Sequence, residues 1–168
     1  VFNSYLLSYP NEEVKYGFLR NFWESYLSPK MDGNVFSAHR FVQDLMAGDV
    51  ESMMERMQAF YADIPYDLNN KNEKHYQTIF YLLFTLLGQY VTVESHSAKG
   101  SADAIVVVQD TVYIFEFKLS NNGTAQEALQ QIEDKGYAKP YEVDHKKIVK
   151  IGAVFSDEER NITEWVMG

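Results

Sequence analysis

Residues 102–119 read ADAIVVVQDTVYIFEFKL, and this stretch decides the fold. Two strand-like runs, Ala102–Val108 and Thr111–Leu119, flank the polar pair Gln109-Asp110. Apolar and β-branched runs separated by two polar residues are typical of a hairpin with a two-residue turn. The stretch therefore predicts two adjacent antiparallel strands.

This turn brings three charged side chains to one face of the hairpin. It makes Asp103 the cross-strand neighbour of Glu116. Lys118 lies two residues after Glu116, hence on the same face, whereas Phe115 and Phe117 point to the other face. The pairing depends on the register, because a shift by one residue would separate the two carboxylates.

The charged face indicates hydrolytic chemistry. The second strand is so apolar that we expect it to be central, where charged groups need partners or a cation. Carboxylate oxygens bind Mg²⁺, and a bound metal lowers the pKa of its water. A lysine nearby can orient the attacking water or stabilise the transition state. Two plainer interpretations stay open: Asp103 ends a turn, and Glu116 pairs with Lys118 on a partly exposed edge strand.

Elements on both sides of the hairpin complete an αβββαββ order. The predicted elements are an apolar helix over Glu73–Leu87, a strand over Tyr90–Ser95, the hairpin, a helix opened by a Thr124–Glu127 capping box and ended by Gly136, and strands over Lys147–Phe155 and Asn161–Val166. The residues before them predict helices that begin near Asn11, Phe36 and Asp49. A polar hinge at 67–70 predicts a helical N-terminal segment at 1–68 and an α/β domain at 69–168.

Composition restricts the class of protein. The chain has 168 residues and no Cys, which excludes disulfides, thiolate metal sites and a thiol nucleophile. Its net charge of −9 gives no general attraction to phosphates, so nucleic-acid binding would depend on a local site. The longest apolar run is about half of a membrane span, and the first residues lack the basic region of a signal peptide. We expect a cytoplasmic protein with no membrane partner, cut from a longer chain because the initiator Met is missing.

The charged residues belong to a pattern that resembles a known family. Gly100-Ser101-Ala102-Asp103, followed by Ile114-Phe115-Glu116-Phe117-Lys118, resembles the D…(D/E)-x-K signature of the PD-(D/E)XK nuclease superfamily. The chain is similar over nearly its whole length to the C-terminal region of a bacterial group that pairs this nuclease-like domain with an N-terminal AAA-ATPase-like domain. The shared phrases are PNEEV at 10–14, NE at 72–73, YQ at 76–77, ALQQI at 128–132, KGY at 135–137, and IG at 151–152 with Phe155.

The resemblance implies a fold, a site and a cofactor. The fold is an α/β, restriction-endonuclease-like αβββαβ core with a mixed central sheet, preceded by the all-helical N-terminal segment. The implied site residues are Asp103, Glu116 and Glu73 as metal ligands, Lys118 as the catalytic lysine, and Gln131 and Tyr137 as polar residues that face the site from the helix after the third strand. The implied cofactor is Mg²⁺ or Mn²⁺. Many relatives carry Arg at the position of Ser101.

Two functions of different classes follow. The first is a metal-dependent nuclease that hydrolyses DNA or RNA. The second is an inactive nuclease-like fold that serves as an interaction or sensor module for an ATPase-like partner domain. The acidic charge, Ser101 and the aromatic residues of the N-terminal segment favour the second function, whereas the carboxylate pair with Lys118 favours the first.

Overall fold

The computed structural model describes residues 38–64 and 102–168, together with the backbone of 92–94. It also describes nine isolated residues in two other parts of the chain: Pro10, Asn11, Glu13, Val14, Gly17, Ile79, Phe80, Leu83 and Phe84. Glu73 and Ser101 lie outside the described residues, so the role predicted for Glu73 stays a prediction.

The described elements follow the predicted order. They are α1 (Ala38–Ala47), α2 (Val50–Ala62), β1 (Thr92–Glu94), β2 (Ala104–Val108), β3 (Thr111–Leu119), α3 (Ala125–Lys135), α4 (Lys139–Glu142), β4 (Lys147–Ser156) and β5 (Asn161–Met167). Ile79, Phe80, Leu83 and Phe84, which belong to the predicted apolar helix, are helical. The short α4 was not predicted; Pro140 stands in its first turn, where a missing N–H costs nothing. Within these described elements, no helix combines the length and the apolar character needed to cross a membrane.

The strands form one mixed sheet in the order β1-β2-β3-β4-β5. The pairs β1–β2, β2–β3 and β4–β5 are antiparallel, whereas β3 and β4 are parallel and α3 lies in the crossover between them. Ala104 pairs with Phe115 and Val108 with Thr111, so the hairpin has the predicted register. Since β3 has a neighbour on each side, Glu116 and Lys118 do not lie on an edge strand. The α/β fold with a mixed central sheet is confirmed.

Local sequence explains where α3 begins and ends. Thr124 Oγ1 accepts a hydrogen bond from the Glu127 N–H, and the Glu127 carboxylate accepts one from the Thr124 N–H at 2.8 Å. This capping box satisfies N–H groups that the first helical turn leaves without partners. At the other end Gly136 has φ +64°, and its N–H donates to the carbonyls of Ile132 and Glu133. The left-handed turn directs the following residues back towards the sheet.

An apolar cluster covers each face of the sheet. On one face β3 contributes Tyr113, Phe115 and Phe117. These side chains pack with α1, α2 and four helical residues, Ile79, Phe80, Leu83 and Phe84. The Phe80 ring lies 4.8 Å from the Phe115 ring and 4.9 Å from the Phe117 ring, centroid to centroid. Thus α1 and α2 share one core with the sheet, while the division into 1–68 and 69–168 stays a prediction.

The second face carries α3 and the smaller cluster. Its sheet residues include Ile105, Val112 and Ile114, which pack with Ile132 of α3 and with Tyr137. Because side chains alternate along β3, Glu116 and Lys118 continue the row begun by Val112 and Ile114. The charged residues predicted to form the site therefore lie on the α3 face of the sheet.

Candidate active site

The two carboxylates of the hairpin lie together at the end of the β2–β3 pairing. Asp103 directly precedes β2, and extending the observed register pairs it with Glu116. The Asp103 Oδ2 atom accepts a hydrogen bond of 2.8 Å from the backbone N–H of Phe117. This bond fixes the Asp103 side chain against β3. The Glu116 side chain is buried, with 4% of the residue exposed.

Gln131 of α3 connects Glu116 to Lys118. Its Nε2 donates to Glu116 Oε1, and its Oε1 accepts from Lys118 Nζ at 2.6 Å. A carboxylate only accepts hydrogen bonds and an ammonium only donates them, so these partners determine the orientation of the amide. The structure thus brings together Asp103, Glu116, Lys118 and Gln131, which the sequence placed on three separate elements.

Tyr137 lies beneath this group. The residue is 2% exposed and belongs to the apolar cluster on the α3 face. Burial raises the pKa of the Tyr137 hydroxyl, and the carboxylates of Glu116 and Asp103 raise it further, while a hydrogen bond with Gln131 acts in the opposite direction. Both carboxylates are thus close enough to act on one phenol, which stays neutral at physiological pH. Tyr137 lies in the turn after Gly136, so the prediction that it belongs to the helix after the third strand is wrong, while a role of Tyr137 in the site stays a prediction.

Gly152 allows α3 to come close enough for the Gln131 contacts. In the parallel register Gly152 pairs with Glu116, so it lies on β4 beside the carboxylate. A Cβ atom there would lie 2.2 Å from the Ala125 carbonyl oxygen and 2.5 Å from the Leu129 nitrogen. No role was predicted for Gly152 from the sequence. A glycine inside an apolar strand is nevertheless a signal of close backbone approach.

A second glycine borders the lysine. Gly123, in the turn between β3 and α3, has φ +157°, and a Cβ there would lie 3.2 Å from Lys118 Cγ. The lysine stem therefore runs along the turn to reach Gln131. Gln131 also faces an open cavity, whose described lining includes Glu127, Asp134 and Lys135. This lining has two acidic residues and one basic residue, so it carries a net negative charge.

The donor set fits a hard divalent cation. Asp103 and Glu116 offer carboxylate oxygens on adjacent, rigid strands, and Mg²⁺ binds through one or two carboxylates while it keeps several waters. Within the described residues no group of three or more His, Asp or Glu side chains is placed to hold a metal, so the described part of the site is a pair. A third ligand from Glu73 stays a prediction.

The lysines after α4 do not form one basic surface. Lys150 Nζ contacts Glu133 Oε1 of α3 at 2.6 Å. Lys147 is an odd number of residues from Lys150, so it points to the opposite face, where its Nζ lies near Gly48 after α1. Neither lysine was predicted as a site residue, and the geometry keeps both apart from the site.

Comparisons with known proteins support the assignment of the fold. The profile of the PD-(D/E)XK nuclease superfamily matches residues 71–165. The chain is 33% identical over 168 residues to an Azotobacter chroococcum mcd 1 protein described as "Uncharacterized protein in vnfD 5'region". The match covers 97% of this chain and 32% of that relative, so the chain spans about a third of the relative's length. No solved structure matches the chain significantly.

Proposed function

The chain belongs to the PD-(D/E)XK nuclease superfamily, and we propose that it hydrolyses phosphodiester bonds of DNA or RNA with a divalent metal. Nucleases of this superfamily generally use divalent metals. The observation that carries the proposal is the convergence of two carboxylates, a lysine and a glutamine on one face of the sheet, with β3 contributing Glu116 and Lys118. We propose Mg²⁺ or Mn²⁺ as the metal.

Each side chain has a role that its position supports. Asp103 and Glu116 hold the cation, and the Phe117 N–H keeps Asp103 turned towards it. Lys118 extends from the same face, so its ammonium can donate to a phosphoryl oxygen or to the attacking water. Glu73 is proposed as a further metal ligand from the first core helix.

The reaction forms a bond between the water oxygen and phosphorus, while the bond from phosphorus to the oxygen of the leaving strand breaks. The proton that the attacking water loses passes to the solvent, and the leaving oxygen takes up a proton from the solvent. A divalent cation held by Asp103 and Glu116 would supply a water of lowered pKa and would offset charge on the phosphoryl oxygens. Lys118 adds a second positive charge at that point, in a site that excludes part of the solvent. Asp103 and Glu116 hold their positions through the Phe117 N–H and the Gln131 amide.

Metal titration followed by a cleavage assay tests the proposal. We would titrate Mg²⁺ and Mn²⁺ calorimetrically into the wild type, Glu116→Ala and Asp103→Ala. Glu133→Ala is a matched control, because Glu133 is a carboxylate on α3 whose partner is Lys150 and which is outside the site. We expect binding in the wild type and the control, and loss of binding in both site variants.

Cleavage would then be measured on single- and double-stranded DNA and RNA, with Lys118→Met as the variant that keeps the metal ligands. We expect wild-type cleavage that depends on metal, on Glu116 and on Lys118. Metal binding that is the same in the wild type and in the double variant of Asp103 and Glu116 would contradict the proposed site.

The second candidate is a nuclease-like fold without turnover that acts as an interaction or sensor module. The net charge of −9 and the acidic residues Glu127 and Asp134 beside Gln131 favour it, because they repel a phosphate backbone. We propose an N-terminal AAA-ATPase-like domain in the longer protein as the partner of the module. Glu116-dependent cleavage by this chain would exclude this candidate.

A further inference from the structure

The strand that carries the site places two opposite charges within reach of each other. Glu116 and Lys118 are two residues apart on one face of β3, so their Cα atoms are about 6.6 Å apart. A lysine stem is long enough to bring its ammonium to the neighbouring carboxylate. Burial of Glu116 would make such an ion pair strong, because opposite charges attract more when water is excluded.

The Gln131 amide stands between these charges. It donates to Glu116 through Nε2 and accepts from Lys118 through Oε1, so each charged group has a hydrogen-bond partner of the right kind. The amide itself is neutral and binds both groups without cancelling either charge. Its helix is held close to the sheet by the small residue Gly152.

We propose that Gln131 is a positioning residue that keeps Lys118 from pairing directly with Glu116. The carboxylate then stays available to the divalent cation, and the ammonium stays available to the phosphoryl group. This inference rests on the proposed function and assigns Gln131 a task within it. A methionine at position 131 has a similar volume but offers neither the donor nor the acceptor, so Lys118 would move onto Glu116.

A double-variant cycle, with Mg²⁺ affinity as the readout, tests whether Gln131 keeps Lys118 away from Glu116, which we call its spacing role. Mg²⁺ alone would be titrated into the wild type, Gln131→Met, Lys118→Met and the variant with both changes. We expect Gln131→Met to weaken Mg²⁺ binding by about 10- to 100-fold, the range observed when a group that orients a metal ligand is removed. We expect the double variant to bind as tightly as Lys118→Met alone, because no ammonium remains to occupy Glu116.

The cycle separates a spacing role from other roles of Gln131. Wild-type affinity in Gln131→Met would overturn the inference. Weak binding that Lys118→Met does not restore would also overturn it, because the amide would then act on the cation in another way. Glu116→Ala distinguishes failure of the proposed function from failure of the role proposed for Gln131. Undiminished Mg²⁺ affinity in Glu116→Ala contradicts the proposed function. Lost affinity in Glu116→Ala together with wild-type affinity in Gln131→Met contradicts only the role of Gln131.

Folding controls accompany the cycle. Gln130→Met is the matched control, since Gln130 is exposed on the same helix and donates to Asp134 rather than to the site. We expect it to bind Mg²⁺ like the wild type. Thermal unfolding would check every variant, and Gln131→Ala would replace Gln131→Met if the latter does not fold.

Discussion

Gly152→Ala is the substitution that most directly tests how closely α3 packs on β4. The added Cβ would lie 2.2 Å from the Ala125 carbonyl oxygen, whereas ordinary van der Waals contact begins at 3.4 Å. The helix would therefore have to retreat by about 1.2 Å, because the atoms that it meets are backbone and cannot rotate away. Overpacking costs about 1–3 kcal/mol, and a clash with backbone on two sides puts this variant near 3 kcal/mol.

The measurement is the free energy of unfolding and the Tm of the variant, from chemical and thermal unfolding monitored by circular dichroism. A loss of about 3 kcal/mol corresponds to a fall in Tm of roughly 6–12 °C in a domain of this size. Gly17→Ala is the matched control, since Gly17 is helical and exposed and a Cβ there meets nothing within 4 Å. We expect the control to raise the free energy of unfolding by up to about 1 kcal/mol.

A Gly152→Ala protein whose free energy of unfolding stays within about 0.5 kcal/mol of the wild type would refute this reasoning. It would mean that α3 does not approach β4 as closely as described. The same variant reports on the site, because a helix displaced from β4 carries Gln131 away from Glu116. We therefore expect weaker Mg²⁺ binding together with the loss of stability.

Three further predictions concern the helix cap, a buried phenol and the metal. Thr124→Ala removes the capping acceptor of α3 and should lower the free energy of unfolding by about 1 kcal/mol in urea titration, whereas Thr124→Ser should keep it. Burial raises the pKa of Tyr113, whose hydroxyl donates to the Leu45 carbonyl at 2.5 Å. The stability that the neutral phenol contributes is therefore complete below pH 10 and is lost as the pH rises above it. In alkaline solution the free energy of unfolding of the wild type should thus fall more steeply than that of Tyr113→Phe. Mg²⁺ at about 100 times its Kd should add about 2.7 kcal/mol to the free energy of unfolding of the wild type and nothing to Glu116→Ala, measured by thermal shift.

Each of these has an outcome that contradicts it. Equal stability of Thr124→Ala and the wild type would show that the capping box contributes nothing to α3. Parallel alkaline unfolding curves for Tyr113→Phe and the wild type would place the Tyr113 hydroxyl in water. A thermal shift by Mg²⁺ that survives in Glu116→Ala would place the cation elsewhere.

Local patterns predicted the elements and the carboxylate pair. The two-residue turn at Gln109-Asp110 was enough to predict the register, because each residue of a hairpin is paired by its distance from the turn. The capping box at Thr124 and the stop at Gly136 predicted α3, since both act through hydrogen bonds within a few residues. Asp103 and Glu116 could therefore be placed on one face from the sequence.

Contacts between distant elements could not be predicted in the same way. Nothing in the pattern of α3 specifies that Gln131 lies between Glu116 and Lys118, because the depth and rotation of a docked helix depend on tertiary packing. The close approach at Gly152 depends on the parallel pairing of β4 with β3, which a long crossover leaves undetermined. The role of Glu73 and the division at residue 68 stay predictions.

The parallel pairing of β3 with β4 also decides when the site can form during synthesis. The hairpin that joins Asp103 to Glu116 is local and can form within about 1–10 μs. Gln131 reaches the carboxylate only after α3 docks, and β4, which begins at Lys147, supplies the glycine surface on which it rests. Such non-local pairing is slow because loop closure must precede the contacts that stabilise it. A nascent chain that ends before Lys147 thus carries the charged residues without the surface on which α3 packs, and the side chains of the proposed site come together only after β4 has been synthesised.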